Sequence, residues 1–566
     1  MSRRTRKHLV DRRIRLLLVV LVLLLAASLG RAVWLQAVRA EPLARMAENQ
    51  HLETITIPAR RGTIYDRTGA LLALGESATT VFADPRRIRD PLGVAGTVGR
   101  VLGRDPETLV APLSDRTRGF VYLARQADPE RAAALAKLEL DGIGFYPEER
   151  RVYPQRSVAS HVLGYAGVDN VGLAGIEQAL DRVLAGKAGS KTIVKDPFGR
   201  AIDVLEATAE REGRDVHLTI DHQIQAHAET VLRETVKRWR ATSASAIVLD
   251  PRTGEILALA AAPSFDANAF GSVPPERSRN RAVTDPYEPG STFKLVTTAA
   301  VLSERLVTPQ TPYTLPYTIQ VADRTIKDSH ERPTQRMTVA EILSHSSNVG
   351  TVTLAKLLGE RKLADWIDRF GFGEPTGLAF PGESAGIVLP VDQWSGSSIG
   401  NIPIGQGIAV TAVQMAAAYA AVANGGVWVQ PHLVSRIDGS KRQAPKRRRV
   451  VTQEIAATLV TMLKGVVDDG GTGTAAGVRG YQVAGKTGTA QKPDHERGGY
   501  SADRYVASFV GFVPASSPRL VILVSVDEPR GSIWGGVVAA PAFQQIASFG
   551  LQYLEVPPDA PLAASP

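Results

Sequence analysis

The chain has no cysteine among its 566 residues. Disulfide scaffolds and thiolate metal centres are thereby excluded. None of its ten histidines falls in an H-E-x-x-H pair, so the commonest zinc-hydrolase signature is missing too. No cofactor and no metal is expected. The body of the protein also lacks an excess of basic charge, although the net charge is +9. Two short clusters, residues 3–15 and 441–449, together carry more positive charge than the whole chain, which leaves the remainder slightly acidic. That distribution argues against a nucleic-acid partner. The second cluster reads as a solvated loop, or one facing lipid.

Long apolar runs are absent with one exception. Residues 16–30 are uncharged and rich in Leu and Val. As a helix they span about 22 Å at 1.5 Å per residue, and extension to Leu35 reaches the ~30 Å hydrocarbon thickness. Arg31 can snorkel outward, and Trp34 suits the interface. The basic leader before the run is expected to stay in the cytoplasm, which leaves the rest of the chain outside. A cleaved signal peptide is the competing reading, since Ser28-Leu29-Gly30 is a small-x-small site. The long basic leader favours a retained anchor, and both readings export the bulk of the chain.

With 44% hydrophobic and 22% charged residues the exported part is a folded protein, too long for one ordinary core. Residues 1–15 form a basic tail, 16–35 the anchor, and 36–215 an N-terminal mixed α/β region. A larger domain occupies 216–556, and a Pro/Ala-rich tail, expected to be disordered, follows at 557–566. In the N-terminal region Asp66-Arg67-Thr68-Gly69 reads as a hairpin turn, and 171–187 as a helix ended by Gly186. Arg61, Asp66, Arg67 and Glu177 read as turn and surface charges. In the larger domain His222 to Trp239 is helical. A hairpin over 246–259 follows, then helical patterns at 291–302, 339–358 and 409–424. Strand-like runs return at 481–484, 506–513 and 520–526, with a last helix near 542–554. Strands from both ends around a helical middle predict an α/β (α+β) domain with an antiparallel sheet.

Three motifs carry chemistry: Ser291-Thr292-Phe293-Lys294, Ser346-Ser347-Asn348 and Lys486-Thr487-Gly488-Thr489. After Pro289-Gly290, Ser291 opens a helix, and residues three apart share a face, which brings Lys294 Nζ towards Ser291 Oγ. A serine hydroxyl needs an adjacent base, and a lysine serves as one only after losing its proton. Burial and a second cation, Lys486, both favour that loss. Ser346 can pass protons, and the Asn348 amide can hold a substrate backbone. Lys486 to Thr489 reads as an edge strand. There Lys486 and the Thr487 and Thr489 hydroxyls would meet a carboxylate, and Gly488 would let a peptide lie close. One S-x-x-K alone is weak, because about two are expected by chance in this length. K-T-G is rarer, at roughly 0.1–0.2 expected, and all three in order make coincidence improbable.

The surrounding residues extend the pattern. Glu288-Pro289-Gly290-Ser291, His345-Ser346-Ser347-Asn348-Val349-Gly350, Gly405-Gln406-Gly407, residues 470–475 and Ala484-Gly485-Lys486-Thr487-Gly488-Thr489-Ala490-Gln491 resemble a class B penicillin-binding protein of the division (septal, FtsI-like) type. Arg61 to Gly69 and Gly175-Ile176-Glu177 resemble that family's non-catalytic pedestal, a dimerisation-type domain. The resemblance covers nearly the whole chain. It implies a penicillin-binding/serine β-lactamase-like transpeptidase domain, a D,D-transpeptidase that crosslinks peptidoglycan stem peptides ending in D-Ala-D-Ala, and inhibition by β-lactams. It implies Ser291 as nucleophile, Lys294 as base, Ser346 and Asn348 as the second element, and Lys486, Thr487, Gly488 and Thr489 at the substrate. The oxyanion would be held by the N–H groups of Ser291 and Thr489. Implied partners are the cytoplasmic membrane, a glycan-strand polymerase and other division proteins, with the enzyme at the septum. An elongation-type transpeptidase and a D,D-carboxypeptidase share these motifs. A β-lactam sensor or a division scaffold is the non-enzymatic alternative.

Overall fold

The computed structural model describes residues 3–39, 52–195, 201–440, 444–494 and 498–561. Two compact units result, one made of residues 1–59 with 187–212, the other of 60–186 with 213–566. In the first unit a helix runs from Arg3 to Val33. Its stretch Arg12–Ala37, with the turn that follows, is long and apolar enough to cross a membrane. Strand Leu52–Ile57 pairs antiparallel with Gly189–Lys195, which pairs in turn with Ala201–Thr208. The expected polar continuation of the helix to residue 50 lies largely outside the described residues.

Residue 215 lies inside the second unit, beside a strand that joins its two parts. Strand Val216–Leu218 pairs parallel with Ile64–Tyr65 on one side and antiparallel with Val434–Ile437 on the other. A strand from the larger domain thus completes the sheet that carries Leu71–Ala83, Val121–Ala127 and Ile143–Val152. The turn at Asp66 forms as its residues dictate: Asp66 Oδ1 accepts from the N–H groups of Thr68 (2.7 Å) and Ala70 (2.8 Å), and Gly69 takes φ +90°. The expected helix over 171–187 is shorter. It consists of Gly175–Ala179 and Asp181–Leu184, because Gly175, at φ +57°, is pressed against the backbone of Leu163 and Gly164.

Of the four charges read as turn and surface residues, Arg67 is exposed and the other three are buried. Arg61 is 3% exposed, and Glu177 and Asp66 are fully enclosed. Glu177 accepts from Arg61 Nε at 2.7 Å and from Arg151 Nε at 2.6 Å, while Arg61 also reaches Asp181 at 2.8 Å. A buried carboxylate between two guanidiniums persists because both of its oxygens are paired. Glu177→Ala leaves Arg151 without a carboxylate and Arg61 with Asp181 as its remaining one, and is expected to cost about 3–5 kcal/mol. The check is hydrogen exchange of Arg61–Tyr65 and Gly175–Leu184, whose amides should lose protection before those of the larger domain.

The larger domain is built on strands β1 (Ser243–Leu249), β2 (Ile256–Ala262), β3 (Ala484–Pro493), β4 (Tyr500–Val513) and β5 (Leu520–Asp527). They form one antiparallel sheet in the order β2-β1-β5-β4-β3. Both faces are covered, so β1 and β2 are buried along their whole length instead of alternating. One face carries α1 (His222–Trp239) and α5 (Ala540–Tyr553), packed on residues such as Val248, Phe509 and Val524. The other carries the helical middle: α2 (Lys294–Ser303), α3 (Asn348–Leu358) and α4 (Ala412–Ala423), packed on Ile247, Val510 and Leu523. β3 is the edge strand of this sheet, as its motif predicts.

Two expectations change. Residues 447–449 of the basic cluster form a strand paired with Val427–Val429, and Arg448 stacks 4.7 Å over Trp428. The backbone ladder and the indole face hold what composition alone presents as loop. The tail is ordered beyond Val556, because Asp559 accepts from Gln482 N (2.8 Å) and Ser516 Oγ (2.6 Å). Residues 562–566 lie outside the described residues.

Candidate active site

The nucleophile turn rests on backbone-to-backbone packing. Gly290 takes φ +55° and donates its N–H to Gly405 O at 3.0 Å. Gly405 itself, at φ +80°, sits so close that a Cβ would lie 2.1 Å from Gly290 O. Ser291 therefore does not start a regular α-helix. It lies in a single 3-10 turn, Gly290–Phe293, which leads into α2. Tyr419 Oη on α4 donates to Thr292 O at 2.9 Å and fixes the turn from behind.

The second motif interrupts the helix expected over 339–358. Val339–Ser344 and α3 are separated at His345–Ser347, where Ser346 takes φ +60°. Such a conformation costs a non-glycine residue roughly 1–3 kcal/mol and persists only where its surroundings impose it. Those surroundings centre on Asp328, which is 6% exposed. Its carboxylate accepts from Ser347 Oγ (3.1 Å), Val349 N (3.0 Å) and Arg332 Nε (2.9 Å). Ser347 also caps α3 by accepting from Gly350 N at 3.0 Å.

Lys294 joins the first two motifs. Fully buried, it places Nζ 2.5 Å from Ser346 O, 2.7 Å from Asn348 Oδ1 and 3.2 Å from Ser346 Oγ. The Asn348 amide is oriented by Nδ2 donating to Lys327 O at 2.8 Å. The bonds of Nζ thus run to the second motif, with Ser291 one turn away on the same segment. A neutral amine has two N–H donors and one lone pair, which matches two oxygens that only accept and a hydroxyl that can donate. Burial holds the Lys294 ammonium well below its ordinary range, the charge of Lys486 lowers it further, and Asp328 opposes both. Burial alone brings Lys486 down to about 7.

Lys486 lies fully buried in β3. Alternation along the strand places it on the same face as Gly488. A Cβ on Gly488 would meet Ser508 Oγ at 2.3 Å, Thr292 Cγ2 at 3.0 Å and Pro289 O at 3.1 Å. The missing side chain is therefore needed for the nucleophile turn to sit on the strand, a tighter reason than room for substrate. Thr487 Oγ1 shares a hydrogen bond of 2.9 Å with Thr472 Oγ1, and Thr489 Oγ1 accepts from Gly535 N at 3.2 Å. The Ser291 turn abuts Thr489, since a Cβ on Gly290 would lie 3.0 Å from Thr489 O. All eight expected residues thus belong to one connected region. Sequence reasoning missed Asp328, Arg332 and Tyr419 as its supports, and none of them sits in a quoted motif, while Thr472 belongs to the 470–475 segment, whose contact with Thr487 the pattern did not disclose.

Asp328→Ala releases the break at Ser346 and leaves Arg332 unpaired. A displacement of about 1 Å at reacting groups costs on the order of 10²-fold in rate. A loss of that size in acylation by penicillin is expected, and a value within twofold of wild type refutes the bracing role.

Serine, buried amine and cationic strand edge on a mixed α/β scaffold define an S-x-x-K acyl-transfer enzyme, and the comparisons specify the family. Residues 244–548 match the penicillin binding protein transpeptidase domain, and residues 56–218 the penicillin-binding protein dimerisation domain. The chain is 33% identical to peptidoglycan D,D-transpeptidase FtsI of Escherichia coli K12, over 98% of this chain and 94% of that protein. It is 37% identical to penicillin-binding protein PbpB of Mycobacterium tuberculosis, over 95% and 84%. Its structure is similar to penicillin binding protein 3 of M. tuberculosis complexed with aztreonam, with TM-score 0.70, 32% identity and coverage of 90% and 100%. It also resembles a peptidoglycan synthetase of Bifidobacterium adolescentis, with TM-score 0.73, 29% identity and coverage of 91% and 98%. The chain belongs to the penicillin-binding protein transpeptidases, of the division type represented by these relatives.

Proposed function

We propose that this protein is a membrane-anchored serine D,D-transpeptidase that crosslinks peptidoglycan stem peptides in septal wall synthesis. The observation that carries the reading is Lys294, an enclosed amine whose proton is disfavoured, one turn from Ser291 and bonded to Ser346 and Asn348. Ser291 Oγ attacks the carbonyl carbon of the penultimate D-Ala, and its proton passes to neutral Lys294. The N–H groups of Ser291 and Thr489 receive the oxyanion. As the C–N bond breaks, the terminal D-Ala leaves with a proton delivered through Ser346 Oγ. An amine of a second stem peptide then attacks the acyl-enzyme, which forms the crosslink and frees Ser291. Lys486, Thr487 and Thr489 hold the terminal carboxylate, and Asn348 holds the donor backbone.

The helix Arg3–Val33 anchors the chain with its basic end in the cytoplasm, and the enzyme works outside, beside a glycan-strand polymerase and other division proteins. A β-lactam mimics the D-Ala-D-Ala terminus and acylates the same serine. Fluorescent penicillin should label the wild-type chain covalently, with the adduct mass on the peptide that contains Ser291. An unlabelled wild type refutes the enzymatic reading. Depletion in cells that yields filaments or chains supports the septal role, and rounding assigns the enzyme to elongation.

A further inference from the structure

The strand of the basic cluster presents an open backbone edge. Arg447–Arg449 pairs with Val427–Val429 alone, as one member of a two-stranded sheet. Gln430 N donates to Lys446 O at 2.9 Å and Val450 N to Gly426 O at 2.8 Å, so residues 446, 448 and 450 face that partner. Antiparallel alternation turns the N–H and C=O groups of Arg447 and Arg449 to the opposite edge. None of these four groups has a hydrogen-bond partner among the described residues.

Cations flank this edge on both faces. Lys446, Arg447 and Arg449 are exposed, and Arg448 is partly buried. The three guanidiniums donate to backbone carbonyls, those of Arg252, Arg369 and Gly425, and among the described residues none of the four cations pairs with a carboxylate. Burial lowers the Arg448 guanidinium from its ordinary range, Asp368 and Glu374 oppose this, and the charge of Arg369 adds to it. Charge on an edge strand ordinarily deters a second strand. Four consecutive cations, however, deter only neutral and basic strands and favour one that brings carboxylates, with which a guanidinium forms charge-assisted, often bidentate bonds. An extended peptide also alternates N–H donors with C=O acceptors along its edge, as Arg447 and Arg449 do. A polyphosphate offers acceptors to the side chains and nothing to the two carbonyls.

We propose that the outer edge of Arg447–Arg449 docks an acidic, extended segment of a partner protein, which adds a third β-strand and sets its carboxylates against the guanidiniums. The side chains of this strand bond no group given a role in acyl transfer, so the docking stands whether or not that reading holds.

The test titrates the full chain, in phosphatidylcholine nanodiscs, with a fluorescent, amidated heptapeptide of alternating Thr and Glu. Anisotropy should show saturable binding that weakens with added salt. Three changes are each expected to weaken it at least about fivefold: N-methylation of the peptide amides, which keeps the charge and removes the donors, replacement of its Glu by Lys, and the double substitution Arg447→Gln with Arg449→Gln. An unchanged thermal melt confirms that the double variant is folded, and the two peptide changes decide the matter if it is not. Bound peptide should also protect the amides of Arg447 and Arg449 from hydrogen exchange. No saturable binding, a smaller effect of any of the three changes in folded protein, or unchanged exchange at both amides overturns docking by strand pairing. Inorganic polyphosphate and phosphatidylglycerol vesicles serve as competitors. Displacement of the peptide by either at equal charge concentration assigns the patch to phosphate and overturns an acidic peptide as its occupant.

Discussion

Exchange of Lys294 for alanine is expected to lower the second-order rate constant for acylation of Ser291 by penicillin about 10³- to 10⁴-fold, the upper range for a positioned general base. Ser291→Ala is expected to abolish the covalent product altogether. Lys294→Arg separates chemistry from architecture. A guanidinium can bond Ser346 O and Asn348 Oδ1, yet it keeps its proton and cannot act as a base. If Lys294 served only to tie α2 to the Ser346 break, the arginine variant would recover much of the rate. Retention of more than one-tenth of wild-type acylation by Lys294→Arg refutes the base assignment. Stopped-flow or gel-based labelling over a range of penicillin concentrations supplies the measurement.

The second large effect concerns pH. Lys294 must be neutral to accept the Ser291 proton, so acylation rises as pH climbs through its depressed pKa. Lys486 must be charged to hold a carboxylate, and burial places its titration near pH 7 in the free enzyme. Above that value the carboxylate site loses its cation, so the pH profile is bell-shaped, with an alkaline limb beginning close to neutrality. The two lysines interact, so the limbs belong to the pair and not to either residue alone. Lys486→Arg keeps the positive charge at every accessible pH, and the alkaline limb is expected to disappear even though overall affinity falls. Lys486→Met removes the charge that helps depress Lys294, so the acidic limb should move to higher pH while the rate at pH 7 drops at least about tenfold. An unshifted acidic limb in Lys486→Met would show that the two amines do not communicate.

The reacting groups were legible in the sequence because each sits in a short pattern with a chemical reason. Their supports were not. The five polar residues 344–348 include the cap of α3, a local sign of a helix start that a single helical pattern over 339–358 overlooks, but the left-handed turn at Ser346 is set from outside. The constraint comes from Asp328, about twenty residues upstream and in no motif. Ser291 was placed at a helix start, and the 3-10 turn found there depends on Gly405, whose approach to Gly290 no local pattern encodes. Arg61 and Glu177 read as surface charges because such residues seldom go inside unpaired. Their pairing spans 116 positions of the chain, a separation that a single sequence does not reveal. The antiparallel sheet with its helical middle was readable from the order of patterns alone, since each strand of the carboxyl-terminal part pairs with a near neighbour in sequence or with the first hairpin.

The strand Val434–Ile437 leaves the catalytic part of the chain to join Val216–Leu218, itself hydrogen-bonded to Ile64–Tyr65. Severing the polypeptide between its two family segments would therefore bare a row of unsatisfied amides and carbonyls on each fragment, an adhesive edge of the kind that seeds aggregation. Pedestal and enzyme share one ladder, so a force or a partner acting on the pedestal pulls on the backbone of the catalytic body itself.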